Sequence, residues 1–515
     1  MTLPLTRAQM ERYIYLLMQS ERVRTEWEAV RDYRAYYSGD HPSLLTRRQE
    51  QYLGQLLTAA RHVVTFNVCR PVVDIPLERL RVTGFSGMTD EDDNPLRLKV
   101  AEWWRVNDMD TVSIEVHRRA LRDGASYLIV DWDADAKRPL WVCHPRYDGD
   151  TGVSFHLDPN TNTPQMAFRY WRVNDPLGNK HGQRRRTVYL PDRILRFKED
   201  TRAEYGWSPV GDDEGPALQW WTDTLSENGK PLGLAVVEFA NAGRISEIED
   251  VIGLQNAITK TLLDLIAATD LQGFAVLALS YPGPAGMAGE QTDESTIEDL
   301  PWEPGRALEL FDGATAQRIP PGDTEPIVNT FKALLYATAA AAGIPYHFLW
   351  QERSFDEIVS GEALRTIEAR LIAKVKERQR LFGSAWLRAM RLGAMLWSIL
   401  GDSAINAQDA LRIEWSSAVT RNEFIDAQVA QLHANLGVPR EHLWQHLLGY
   451  SAEEVRQFKR MAEIARSDAV LDQLFMSGGN GGRYTAEIGV DANTTPAGEE
   501  LLRERRPVPA TTGEA

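Results

Sequence analysis

Three aspartates in this sequence have the spacing of a calcium-binding loop. Asp131, Asp133 and Asp135 alternate as the first ligands of such a loop do. The loop also needs glycine at its sixth position and glutamate at its twelfth, but Ala136 and Val142 occupy these positions. We therefore interpret the aspartates as a solvated turn and expect no calcium site.

Two further patterns come close to a metal site and to a phosphate-binding loop. His442 and His446 lie four residues apart on a predicted helix, a spacing that can place two imidazoles on one metal ion, but no third ligand accompanies them. Gly229 and Lys230 lack the upstream glycine of a phosphate loop, and the glycines of 478–482 follow a helix instead of opening one. We expect helix-surface or interface histidines, a glycine linker, and a protein that is not an enzyme and holds no metal or cofactor.

The charge of the chain limits the contacts that it can make with nucleic acid. With 57 basic and 73 acidic side chains its formal net charge is −16, whereas proteins that grip phosphates are usually basic. The basic run Arg184–Arg186 lies beside a predicted strand, where we expect a charged turn or an intersubunit surface in preference to a DNA contact. An acidic surface can still let DNA slide past it.

Composition predicts a folded protein of two to four domains outside the membrane. Hydrophobic residues make up 43% of the 515 residues and charged residues 25%. No stretch reaches 18 consecutive apolar residues, and the N-terminus lacks the apolar run of a secretory signal. Two cysteines are too few for a disulfide scaffold. We expect a cytosolic product.

The first half of the chain combines helical and β patterns. Helices are predicted over 6–38 and about 95–122, and short β-rich runs separated by turns follow between 127 and 239. We expect a mainly antiparallel sheet region in a chain that is α+β and mainly helical overall.

Two predicted helices enclose an acidic insert in the middle of the chain. Aliphatic residues at spacings of three and four predict a helix over 244–268, and a second helix over 324–343 ends at a glycine. The insert between them starts with an apolar strand candidate, Gly273–Leu279, and is rich in turns and acids. Small residues, Ala339–Ala342, would let a neighbouring helix approach the second helix closely.

A loop and a very long helix follow. The connector Ile344–Gly361 leads into a predicted helix of about 40 residues, which would be roughly 60 Å long. An ordinary helical bundle could use such a helix, but copies packed side by side in a ring could line a tunnel. A strand candidate at 411–415, helices with capping boxes at Thr420 and Ser451, and a polar, disordered tail complete the prediction.

Several short segments follow one another in a specific order and spacing along the chain. These segments are Tyr36-Tyr37-Ser38-Gly39-Asp40-His41, Asn67, Pro71-Val72-Val73-Asp74, Trp103, Asn107, Met109, His117, Asp123-Gly124, Gly343-Ile344-Pro345 and Ser360-Gly361-Glu362-Ala363-Leu364. In this order and spacing they resemble the portal proteins of tailed phages, in particular those of siphophages, over about residues 20–470. The resemblance implies a ring of about twelve copies that forms a channel at one vertex of the capsid, for packaging, retention and ejection of double-stranded DNA.

The resemblance also implies a portal fold with named regions and partners. The terminase large subunit and later the head-tail adaptors would meet the clip, and the crown would face the capsid interior. Major capsid and scaffolding proteins are further expected partners, and no membrane is involved. The implied regions are a wing (1–243), a stem (244–268 and 324–343), a clip (269–323), a tunnel loop (344–361), a long helix with a strand returning to the wing (362–419), a crown (420–475) and a disordered tail (476–515).

The residues implied to face DNA lie on the tunnel loop and on the long helix. Twelve copies at −16 each would carry about −192, which basic residues could offset locally. The protein would assemble in the host cytoplasm and reside at the portal vertex of the virion. Alternatives are a minor capsid or head-tail adaptor protein and, more distantly, a nucleic-acid-processing enzyme. The candidate residues are Trp350, Gln351, Glu352, Arg353, Ser354 and Phe355 on the loop, and Lys374, Lys376, Arg378 and Arg380 on the helix.

Overall fold

A computed structural model gives the structure of the chain, which divides into a compact unit over residues 1–451 and a second unit over 452–515. In the second unit, residues 457–466 are helical. Apart from isolated positions, the residues that the structure describes are 21–42, 66–87, 95–158, 163–176, 180–191, 194–210, 226–227, 230–231, 233–273, 276–280, 315–319, 323–350, 361–401, 405–419, 423–440 and 457–466.

Four helices lie in the first part of the chain: α1 (Glu21–Ser38), α2 (Cys69–Glu78), α3 (Pro95–Val106) and α4 (Met109–Asp123). The helical region predicted over about 95–122 is confirmed, and it consists of two separate helices, α3 and α4. Asn107 donates its side-chain N–H to the Trp103 carbonyl at 2.9 Å, and Asp108 follows with a positive φ of 49°. This left-handed residue interrupts the helical path between α3 and α4.

The strands of the first half of the chain form small sheets. These strands are β1 (Val82–Ser86), β2 (Ala125–Asp133), β3 (Arg138–Pro145), β4 (Gly152–Leu157), β5 (Pro164–Arg172), β6 (Arg184–Tyr189), β7 (Ile194–Glu199), β8 (Trp207–Pro209), β9 (Ser226–Glu227), β10 (Lys230–Pro231) and β11 (Val236–Ala240). One sheet has the order β11-β2-β3 and another the order β4-β5-β6-β7-β8. Among the described residues of this half, neighbouring strands pair antiparallel, as predicted.

The three aspartates lie near the turn that was predicted for them, whereas the three arginines do not lie in a turn. The Asp133 carboxylate accepts the backbone N–H of Ala136 at 3.0 Å, in the turn between β2 and β3. Arg184–Arg186, predicted as a charged turn or intersubunit surface, instead lie within β6. The buried Arg186 guanidinium lies 4.8 Å from the Phe197 ring and 4.5 Å from the Trp207 ring. Contacts of a cation with two ring faces explain its place in the interior.

The middle of the chain contains α5 (Ile252–Gly273), β12 (Val276–Ser280), β13 (Thr315–Ile319) and α6 (Glu325–Ala342). Helix α5 begins eight residues later than predicted because Ser246 caps a turn before it: its hydroxyl accepts the Ile248 N–H at 3.1 Å. The predicted strand of the insert is confirmed as β12, which pairs with the unpredicted β13. By length and composition residues Glu249–Thr269 could span a membrane, but we interpret α5 as packed on α6.

The long helix is α7 (Gly361–Leu400), followed by β14 (Arg412–Trp415) and α8 (Glu423–Asn435). Its apolar face lies in the core of its own subunit, so the helix has a structural role within one chain. Its Trp386 Nε1–H donates to Nε2 of the buried His117 at 2.9 Å, and Phe382 stacks on the same imidazole with ring centres 5.0 Å apart. The strand predicted at 411–415 is confirmed as β14, which pairs with β1.

Candidate channel loop and its anchors

The first residues of the predicted tunnel loop are attached to helix α6. Gly343, with a φ of 68°, ends the helix, and Ile344 and the residues after it turn back along it. The Tyr346 ring stacks on Tyr336 with ring centres 3.6 Å apart. Trp350 packs edge-on against Phe331, with ring centres 6.0 Å apart. The other candidate loop residues, Gln351, Glu352, Arg353, Ser354 and Phe355, lie outside the described residues.

The helix that follows the loop returns to the same end of α6. Arg370 donates to the Ala340 carbonyl and Lys374 to the Ala342 carbonyl, both at 2.8 Å. Carbonyls in the last turn of a helix have no partner inside the helix and form the negative end of its dipole. Two cations of α7 therefore cap α6 and hold together the two helices that flank the loop.

A buried carboxylate, Glu368, connects the start of the loop with α7. Its side chain is 3% exposed, and Arg79 pairs with both of its oxygens at 3.2 Å. His347, in the first turn of the loop, places Nε2 4.0 Å from the same carboxylate. Burial lowers the pKa of His347, Glu368 opposes this effect, and Arg79 adds to it. His347 is therefore neutral at neutral pH.

A second buried carboxylate, Glu247, ties α7 to the segment between β11 and α5. It pairs with Lys374 and, at 2.8 Å, with Arg378, and it accepts an N–H of Asn241 at 3.1 Å. The side chains of Glu247 and Arg378 are 6% and 8% exposed. Burial alone would raise the pKa of Glu247, but the charges and hydrogen bonds of Lys374 and Arg378 outweigh it and hold this pKa below its usual value.

The four candidate cations of α7 thus fall into two classes. Lys374 and Arg378 are ion-paired inside the subunit. Lys376 and Arg380 are exposed and form no ion pair within the described part of the chain. That any of the four faces a channel stays a prediction.

Sequence reasoning missed both buried carboxylates, although one of them left a signal. Glu368 has the helical spacing of Leu371 and Val375, the apolar face of α7, where a carboxylate needs a partner. Glu247 lies in a segment without periodicity, and only the tertiary structure brings it to α7. His442 and His446 lie outside the described residues.

Comparison with known proteins identifies the family of the chain. A family model described as phage portal protein, SPP1 Gp6-like, matches residues 24–468. The chain belongs to this family. The resemblance to phage portal proteins predicted over about 20–470 is thereby confirmed.

Individual portal proteins match over most of their length. The portal protein of Mycobacterium phage D29 is 27% identical over 416 residues, which are 76% of this chain and 78% of the relative. That of Mycobacterium phage L5 is 25% identical over 413 residues, with the same coverage. Among solved structures, a chain from the virion of a native gene transfer agent particle has a TM-score of 0.40 at 15% identity, covering 77% of this chain and 93% of that one.

Proposed function

We propose that this portal protein forms a ring, of about twelve copies, around a channel at one vertex of the capsid. Double-stranded DNA would enter through this channel during packaging, be retained by it and leave through it on ejection. The observation that carries the proposal is the family match over residues 24–468, which includes every element that anchors the loop. Twelve chains of 58.1 kDa would give a ring of about 700 kDa.

We propose that the regions of the portal fold correspond to the following elements of this chain. Helices α5 and α6 would form the stem, and the β12–β13 pair, with the residues between, the clip. Residues 1–243 and β14 would form the wing, and residues 420–475 the crown. The clip would dock the terminase large subunit and then head-tail adaptors. Major capsid and scaffolding proteins would surround the ring, which would assemble in the host cytoplasm and act without catalysis in the virion.

Residues 344–361 would be the segment that narrows the channel. The support comes from the two anchors, since Tyr346 and Trp350 fix the start of the loop and Arg370 and Lys374 fix the helix after it. When both flanks of a loop are fixed on a rigid pair of helices, its middle residues can change conformation while the ring keeps its structure.

The loop proposal is tested by replacing Ser354–Glu357 with four glycines. A matched control replaces the exposed turn 134–137, of the same length, between β2 and β3. We expect both variants to form rings of about 700 kDa by light scattering. Only the loop variant should package less DNA into capsids, or lose packaged DNA, as measured by nuclease-protected DNA per particle. Packaging and retention equal to the control would contradict the assignment.

A further inference from the structure

The solvent-facing side of α7 is strongly basic in a chain that is acidic overall. At 100° per residue, Arg370, Lys376, Arg380 and Arg388 project within one half of the helix circumference, and all four are exposed. On this side, between residues 366 and 388, the acid is Glu377, which pairs with Arg378. Four cations against one acid contrast with the formal net charge of −16.

Arg370 caps α6 through the Ala340 carbonyl, but the other three cations lack the carboxylate partners that cations on a solvated helix normally have. Lys376, Arg380 and Arg388 form no ion pair within the described part of the chain. Lys376 and Arg380 are also four residues apart, where like charges destabilise a helix. An acidic partner surface would remove this cost.

An apolar side chain lies among the cations and indicates what kind of surface they meet. Leu381 is 39% exposed, and at 100° per residue it projects within about 20° of Arg370 and Arg388. DNA phosphates would leave this leucine in a polar environment, whereas a protein surface can bury it. The observations favour a protein partner over DNA.

The same chain carries a complementary surface on another flank of α7. Glu249 and Asp250 are exposed and form no ion pair within the described residues, and Ile245 beside them is 52% exposed. Glu247, between them in the sequence, contacts Lys374 and Arg378, which project about 120° to 160° away from Lys376 and Arg380. Two acids around an exposed isoleucine match the cations around an exposed leucine.

We propose that the basic side of α7, around Lys376, Arg380 and Leu381, docks on residues 245–250 of a second copy of this chain. Because the two surfaces lie on different flanks of one helix, each copy would offer the basic side to one neighbour and the acidic segment to the other. Such a head-to-tail contact closes into a ring when its rotation permits. The inference rests on the proposed ring and names the surfaces that hold it together.

The test reverses the charges on each surface and then on both. Two variants, K376E/R380E and E249K/D250K, are compared with their combination, which restores the charge match with the signs exchanged. The control K137E/R202E makes the same change in net charge as K376E/R380E, at exposed sites in the first part of the chain. The mass of each assembly is measured by light scattering at 0.1 M salt. At this ionic strength, charges are screened from one another only beyond about 10 Å, so charges in direct contact still interact.

We expect each double variant to shift the mass from about 700 kDa toward the 58.1 kDa subunit, and the combination and the control to keep the ring. A ring unchanged in both double variants, or one that the combination fails to restore, overturns the inference. So does a K376E/R380E ring that stays intact but holds less DNA, which would assign this side to DNA. If the wild type itself forms no ring, the proposed function fails first. Should K376E/R380E not fold by circular dichroism, K376Q/R380Q takes its place with the same expected direction.

Discussion

The buried carboxylate Glu247 is expected to hold the long helix to the rest of the subunit. The substitution Glu247→Gln keeps its size and a hydrogen-bond acceptor but removes the negative charge. Lys374, whose side chain is 15% exposed, would then lose its carboxylate, and Arg378, 8% exposed, would keep only the exposed Glu377 as a partner. Removing one partner of a buried ion pair costs about 3–5 kcal/mol. The partial exposure of Lys374 lets it turn to solvent, so we expect about 3 kcal/mol.

The assay is amide hydrogen exchange of residues 370–380 in the assembled protein. A loss of about 3 kcal/mol in local stability increases the population of the open state, and thus exchange, by about two orders of magnitude. The matched control is Glu377→Gln, whose carboxylate also pairs with Arg378 but is 60% exposed. An exposed pair contributes at most about 1 kcal/mol, so the control should change exchange little.

The pH dependence of the same variant gives an independent check. Because the pKa of Glu247 is lower in the folded chain, its stabilisation is present above the unfolded value and is lost as pH falls through the folded pKa. The variant Glu247→Gln should not show this loss of stability at acidic pH. The reasoning is refuted if Glu247→Gln accelerates exchange no more than Glu377→Gln, or if its stability keeps the wild-type dependence on acid.

Two further predictions concern the contacts that α7 makes with the first part of the chain. Burial lowers the pKa of His117 to about 3, so below about pH 6.5 the unfolded chain binds a proton at this residue and the folded chain does not. The free energy of unfolding should therefore fall by about 2 kcal/mol between pH 7 and pH 5. In urea titrations at these two pH values, His117→Gln should lose this part of the pH dependence. A Cβ on Gly393 would lie 2.4 Å from the Trp141 ring, so Gly393→Ala should lower the free energy of unfolding by about 1–3 kcal/mol in thermal unfolding. The control is Gly253→Ala on α5, where the added carbon meets nothing within 4 Å. It should be neutral or stabilising. A pH response unchanged in His117→Gln, or equal melting of the two alanine variants, would contradict these contacts.

The elements with a strong local pattern were predictable from the sequence. Helices α6 and α7 begin and end within one or two residues of their predicted limits, since Gly343 and the apolar periodicity are local signals. The short strand β14 was found through its alternating residues. The family resemblance rests on the same kind of information, the order of short segments along the chain, and it was confirmed over most of the chain.

Contacts between distant segments were decided only by the tertiary structure. Strand β1 has a weak pattern of its own, with Gly84 at its centre, and forms where β14, more than 300 residues later, supplies hydrogen-bond partners. Arg186 is buried because its guanidinium packs on two aromatic rings, one from β7 and one from β8. A run of three arginines in the sequence does not predict this contact. Glu247 meets Lys374 and Arg378 across more than 120 residues, and Glu368 meets Arg79 across almost 290. Apolar periodicity depends on neighbours along one helix or strand, whereas a buried charge is stable only beside a partner that folding brings to it.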